Sequence, residues 1–115
     1  MKVIVSDSNL ITSSKVSSLI KGAGWEVLSA SRWHKVKELL ESNPDVEVLV
    51  LNLEGFGADD IMRNIKKEFP HLKVIAYCGH KNIRLQEEAK NLGADLVVPN
   101  SMIVSSVVEL IKGLS

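Results

Sequence analysis

Val46-Glu47-Val48-Leu49-Val50-Leu51-Asn52 is the stretch that decides the fold. Its apolar run is broken only by Glu47 and closes on the polar Asn52. Asn43-Pro44-Asp45 stands before it, and Gly55 and Gly57 mark a loop after it. A short, β-branched, nearly unbroken apolar run between turn residues reads as a strand covered on both faces. Segments of helical period flank it. Residues 32–42 place Trp33, Val36, Leu39 and Leu40 on one face, and residues 58–69 do the same with Ile61, Met62, Ile65 and Phe69 before Pro70. The alternation continues outward. Val3-Ile4-Val5 is a strand, followed by Asp7-Ser8-Asn9 as turn and cap. A helix over 10–23 turns Val16, Leu19, Ile20 and Ala23 inward and stops at Gly22-Ala23-Gly24. Strands at Trp25-Glu26-Val27-Leu28, Val74-Ile75-Ala76-Tyr77 and Leu96-Val97-Val98 and helices over 82–92 and 101–114 complete the chain. Five strand–helix units in strict alternation predict a doubly wound α/β fold. It is a five-stranded parallel sheet in a flavodoxin-like (βα)5 three-layer sandwich, one domain over residues 1–115.

Composition narrows the function. The 115 residues are 45% hydrophobic and 24% charged, with fourteen basic residues against fourteen acidic, so nothing predicts a basic nucleic-acid footprint. A single cysteine, Cys78, excludes a disulfide framework and a multi-cysteine zinc site. No apolar run reaches the ~20 residues of a membrane span. Met1-Lys2-Val3-Ile4-Val5-Ser6-Asp7 turns polar too soon for a signal peptide. A cytoplasmic protein with no membrane partner is expected.

In a doubly wound sheet, chemistry collects at the carboxyl ends of the strands. The residues there are Ser6 and Asp7, Asn52, Cys78 and Gly79, and Pro99 and Asn100. Over its whole length the chain resembles the receiver domain of two-component response regulators. Val5-Ser6-Asp7-Ser8 stands where that family has a hydrophobic residue and an acidic pair, and Leu49-Val50-Leu51-Asn52 where the phospho-accepting aspartate closes the third strand. Ile75-Ala76-Tyr77-Cys78-Gly79 stands where a Thr or Ser closes the fourth, and Gly93-Ala94-Asp95 matches the motif before the fifth.

The resemblance implies a site in which an acidic pair and the acceptor hold Mg²⁺ while a hydroxyl and a lysine hold the phosphoryl oxygens. This chain departs at each place. The acidic pair is reduced to Asp7 beside Ser6, the acceptor position is Asn52, the hydroxyl position Cys78, and the lysine position Asn100 followed by Ser101. The aromatic switch position is Val97, and the loop after the third strand is about two residues short, without its usual proline. An amide is no nucleophile towards phosphorus. One carboxylate holds Mg²⁺ weakly, so Asp7 is at most a weak metal ligand. Without lysine, nothing offsets the charge of a transferring phosphoryl group. The expectation is a non-enzymatic pseudo-receiver with no cofactor, and with Mg²⁺ weak or absent, that binds proteins independently of phosphorylation.

Plainer roles compete for these residues. Asp7 reads as a cap of the first helix, Asn52 as a buried amide joining loops, and Cys78 as an inert buried thiol. Glu54 is either solvated or a fixed charge near the site. The last helix shows an inward stripe of Val104, Val107, Val108 and Ile111, which Ile103, Leu110 and Leu114 widen, so these three are expected to form a face for a protein partner or a second copy. Failing that, the loops at 54–57 and 79–82 are the next candidates. Two alternatives stand beside this reading. One is a regulatory receiver belonging to a longer transcription factor or kinase. The other is a flavin or small-ligand binder, for which residues 7–14 are hydroxyl-rich but lack the glycine that close approach to phosphate favours.

Overall fold

All ten expected elements form in the computed structural model, which describes residues 1–114. They run β1 (Lys2–Ser6), α1 (Leu10–Gly22), β2 (Glu26–Ser29), α2 (Trp33–Ser42), β3 (Val46–Asn52), α3 (Ala58–Glu68), β4 (Lys73–Cys78), α4 (Ile83–Asn91), β5 (Leu96–Pro99) and α5 (Asn100–Gly113). The strands make one parallel sheet in the order β2-β1-β3-β4-β5. Connections leave β1 in one direction and β3 in the other, so the switch point lies between them.

Alternation along the central strands feeds two cores. Val3, Val5, Val48, Val50, Ile75, Tyr77 and Val98 face α1 and α5, meeting Val16, Ile20, Ile103, Val107 and Ile111. Ile4, Leu49, Leu51, Val74, Ala76 and Cys78 face the other way, against Val36 and Leu40 of α2, Ala58, Ile61, Met62 and Ile65 of α3, and Ala89 of α4. Trp33 packs edge-on to Phe69 at 6.4 Å, tying α2 to the end of α3. No helix among the described residues is long and apolar enough to cross a membrane.

Three expectations are corrected. The cap of α1 is Asn9, whose Oδ1 accepts from the Ile11 and Thr12 backbone N–H groups at 3.0 and 3.2 Å. Asp7 lies two residues too early and turns inward. The second correction concerns α5. Ile103 is fully buried and belongs to the core stripe Ile103-Val107-Ile111, so it offers no surface to a partner. Leu110 and Leu114 are half-buried against the same core. The cause is that α5 is covered by both the sheet and α1; its backbone also departs from helical geometry at Ser106 (φ −138°, ψ 22°). Leu19 and Ala23, expected inward, are exposed.

Gly93-Ala94-Asp95 has a structural task. Gly93 turns at φ +99°, and Asp95 Oδ2 then accepts from the Val74 N–H at 2.8 Å and from Lys66 Nζ at 2.9 Å. Lys66 Nζ also donates to the Leu72 carbonyl at 2.7 Å, so one carboxylate pins α3, β4 and β5 together. Burial opposes the charge on Asp95, but the Lys66 and Val74 bonds outweigh it and hold the carboxyl below its ordinary value. A carboxyl depressed in the native state stabilises it at pH values above the unfolded carboxyl's own titration, and that stability is lost as pH falls through the native value. Asp95→Asn therefore lowers stability by about 1–2 kcal/mol at pH 7 in denaturant unfolding, and the gap to wild type narrows near pH ~3.

Candidate functional site

Asp7 leaves the end of β1 at 8% exposure, and its carboxylate accepts from three donors. Oδ1 accepts from the Asn9 N–H at 2.8 Å and from Asn52 Nδ2 at 3.0 Å, and Oδ2 accepts from the Tyr77 hydroxyl at 2.5 Å. All three donors are uncharged. The alternation of the strands brings them together: Val5, Val50 and Ile75 face α1 and α5, so the next residues in phase, Asp7, Asn52 and Tyr77, meet at the carboxyl end. Tyr77 is fully buried. Burial first, then the bond to Asp7 and its charge, raise the phenol well above its ordinary value, so it is a permanent donor.

Asn52 uses both ends of its amide. While Nδ2 donates to Asp7, Oδ1 accepts from the Glu54 N–H at 2.9 Å. An aspartate here would set two carboxylate oxygens against each other without a proton between them. Glu54 carries the chain of contacts on. Its Oε1 accepts from the Gly79 N–H at 3.1 Å and its Oε2 from Asn82 Nδ2 at 3.3 Å, joining the loops after β3 and β4. Further out, the Arg32 guanidinium lies 4.4 Å over the Phe56 ring, joining the loops after β2 and β3. Gly57 makes that approach feasible: its φ is +88°, and a Cβ there would meet the Ser31 carbonyl oxygen at 3.1 Å.

A cleft of about 450 Å³ opens beside this network at the switch point. Ser8, Asn9 and Thr12 line it from the β1 side, Asn52, Glu54 and Gly55 from the β3 side, and Asn100, Ser101 and Val104 from α5. The residue set does not suit Mg²⁺. Glu54 is the one carboxylate lining the cleft and holds Gly79 and Asn82, the Asp7 oxygens beside it already accept three bonds, and no group of three His, Cys, Asp or Glu side chains among the described residues is placed to hold a metal.

No protein-family model matches the sequence, and comparison with curated proteins gives no match. Solved structures do match. The receiver domain of TorR, the response regulator of the TMAO respiratory system, superposes with a TM-score of 0.86 at 16% identity, over 98% of this chain and 94% of that one. A signal receiver domain from Bermanella marisrubri gives 0.83 at 17% identity over 98% and 96%, and a LuxR-family DNA-binding response regulator from Staphylococcus aureus 0.82 at 22% over 98% and 97%. The chain has the receiver fold.

On this receiver fold the expected positions separate into two groups. Asp7 and Asn52 touch, and Asn52 and Asn100 line one cleft. Cys78 does not reach that cleft. It is fully buried on the α2–α4 side, its Sγ 3.9 Å from the Asn82 carbonyl, and burial with the nearby Glu54 charge pushes the thiol up. Ser6, also buried, falls by alternation on the same side as Ile4. Sequence reasoning missed Tyr77. A tyrosine in an otherwise aliphatic buried strand needs a partner for its hydroxyl, and that was the available signal.

Tyr77→Phe removes one donor and leaves a buried carboxylate oxygen unpaired. A loss of about 1–3 kcal/mol in denaturant unfolding is expected, with amide shifts at Asp7 and Asn52 in ¹⁵N spectra. An unchanged midpoint means that the hydroxyl contributes nothing.

Proposed function

We propose that this receiver-fold chain is a regulatory module that works by binding a protein and does not take up phosphoryl groups. The observation that carries the reading is the state of Asn52. It stands at the end of β3, where the receiver resemblance places the acceptor, and its amide is committed on both sides, to Asp7 and to the Glu54 N–H. Supporting it, Asn100 offers no ammonium, Cys78 lies across the sheet from the cleft, and Asp7 is occupied by neutral donors. A phosphoryl group developing charge at Asn52 meets no cation among the residues lining the cleft. The fold's relatives by structure are response regulators, and regulation through a bound protein is the part of that role that survives these replacements.

Incubation with acetyl phosphate and Mg²⁺ is expected to leave the intact mass unchanged, and Asn52→Asp alone is expected to stay unmodified. The combination Ser6→Asp, Asn52→Asp, Cys78→Thr and Asn100→Lys is the smallest set expected to have a chance of activity. A stoichiometric, acid-labile phosphoryl adduct on the wild-type chain overturns the reading.

A further inference from the structure

The amino end of the sheet holds a second cavity, shaped by two prolines. Pro44 and Pro70 stand two residues after the ends of α2 and α3. The residue before a proline is driven out of helical geometry, and Asn43 (φ −130°, ψ 73°) and Phe69 (φ −132°, ψ 68°) take nearly the same conformation. The two helices therefore stop in the same way, and their loops lead into the neighbouring strands β3 and β4. Beside them the ladder between β1 and β3 slips: Lys2 pairs with Val46 but Val3 with Val48, so Glu47 is passed over. These loops and the end of α5 wall a cavity of about 550 Å³, larger than the cleft at the opposite end.

Both cores surface in this cavity. Leu40 and Leu72 come from the core on the α2 side, with Phe69 packed against it, and Val48 and Ile111 from the core on the α1 side, with Leu114 packed against that one. Part of the polar lining is engaged within the chain. The Asn43 amide accepts from Lys2 Nζ and donates to the Leu39 carbonyl, both at 3.0 Å, and Glu68 pairs with Lys37 at 2.9 Å. The rest carries both signs: Glu47 on one side of the balance, His71, the Met1 amino group and Lys73, which also acts on Asp95, on the other. An ion of either sign meets its like there as well as its opposite, so the lining selects for no net charge. One directional feature is left. α2, α3 and α5 all end at the cavity, and a helix end presents carbonyl acceptors with partial negative charge. The volume is that of a site for a small organic molecule, and such sites are mostly apolar with a few polar groups.

We propose that this cavity binds a small, uncharged aromatic molecule with one hydrogen-bond donor, of the phenol or indole kind. Its ring lies among Leu40, Phe69, Leu72 and Leu114, and its O–H or N–H donates to a carbonyl at a helix end. A neutral donor draws on the helix ends without the repulsion that Lys73 and the amino group set against a cation, or Glu47 against an anion. The inference goes beyond the protein-binding reading and does not depend on it.

The test is an amide-shift titration of the whole chain with naphthol, naphthalenesulfonate and naphthylmethylammonium, one ring system carrying no charge, a negative charge and a positive charge. Naphthol is expected to give saturable shifts confined to residues 40–48, 69–73 and 111–114, with the two ions at least about tenfold weaker. His71→Trp and Leu114→Trp put bulk into the cavity, and each is expected to weaken naphthol about tenfold. His71 is exposed, so His71→Trp is expected to keep the wild-type melting temperature and serves if Leu114→Trp fails to fold. Lys73→Gln changes charge without adding bulk and is expected to leave naphthol binding within about twofold. Either ion binding as tightly as naphthol overturns the proposal. So do shifts centred on residues 8–12 and 100–104, unchanged affinity in His71→Trp, or no saturable shift at ~1 mM naphthol. Light scattering that shows a dimer, with dilution shifts falling on residues 43–48 and 69–73, also overturns it, since a second copy then covers the cavity.

Discussion

The carboxylate of Asp7 is the fixed point of the molecule's working end. It is nearly buried, and it is stabilised by three hydrogen bonds from a backbone N–H, an amide and a phenol. A buried charge without a cation is costly, and several good hydrogen bonds are the means by which a protein keeps one. The arrangement sets the identity of its neighbours. Asn52 must be an amide, because it donates to Asp7 and accepts from the Glu54 N–H at once. Tyr77 must carry its hydroxyl inward from the middle of an apolar strand. In our account the same three donors engage both oxygens that a divalent ion would use, so the loss of acceptor and metal chemistry that we propose reduces to one change of hydrogen bonding rather than several independent ones.

From Asp7 the contacts run outward through the loops. Asn52 orders the start of the β3–α3 loop, Glu54 carries that loop to Gly79 and Asn82, and Phe56 carries it to Arg32. The loops at the carboxyl end of the sheet are thereby tied to one another, while Leu10, Ile11, Phe56, Ile83 and Met102 stay exposed.

Fold and site differed in how far the sequence disclosed them. The β3 run and the alternation around it were legible because parallel strands covered on both faces leave an unmistakable apolar signature. That Ser6, Asn52, Cys78 and Asn100 stand where the receiver resemblance places an acidic residue, the acceptor, a hydroxyl and a lysine was legible residue by residue. What they touch was not. Tyr77 and Asp7 lie 70 residues apart in the chain, and only strand register brings them into contact. The last helix misled for another reason. Its apolar width suggested an exposed patch at Ile103, Leu110 and Leu114, but the packing of α5 against both sheet and α1 absorbs that width, as helical periodicity alone cannot show.

The account stands on Asp7 being satisfied from within, and a Mg²⁺ titration followed by amide shifts around Asp7 and Asn52 tests it most directly. With one occupied carboxylate in place of a cluster, the shifts are expected to stay linear into the ~10 mM range without reaching a plateau, and Mn²⁺ is expected to broaden those resonances no more than it broadens exposed acidic surface. Saturation below ~1 mM, centred on Asp7 and accompanied by loss of the Tyr77 bond, contradicts it.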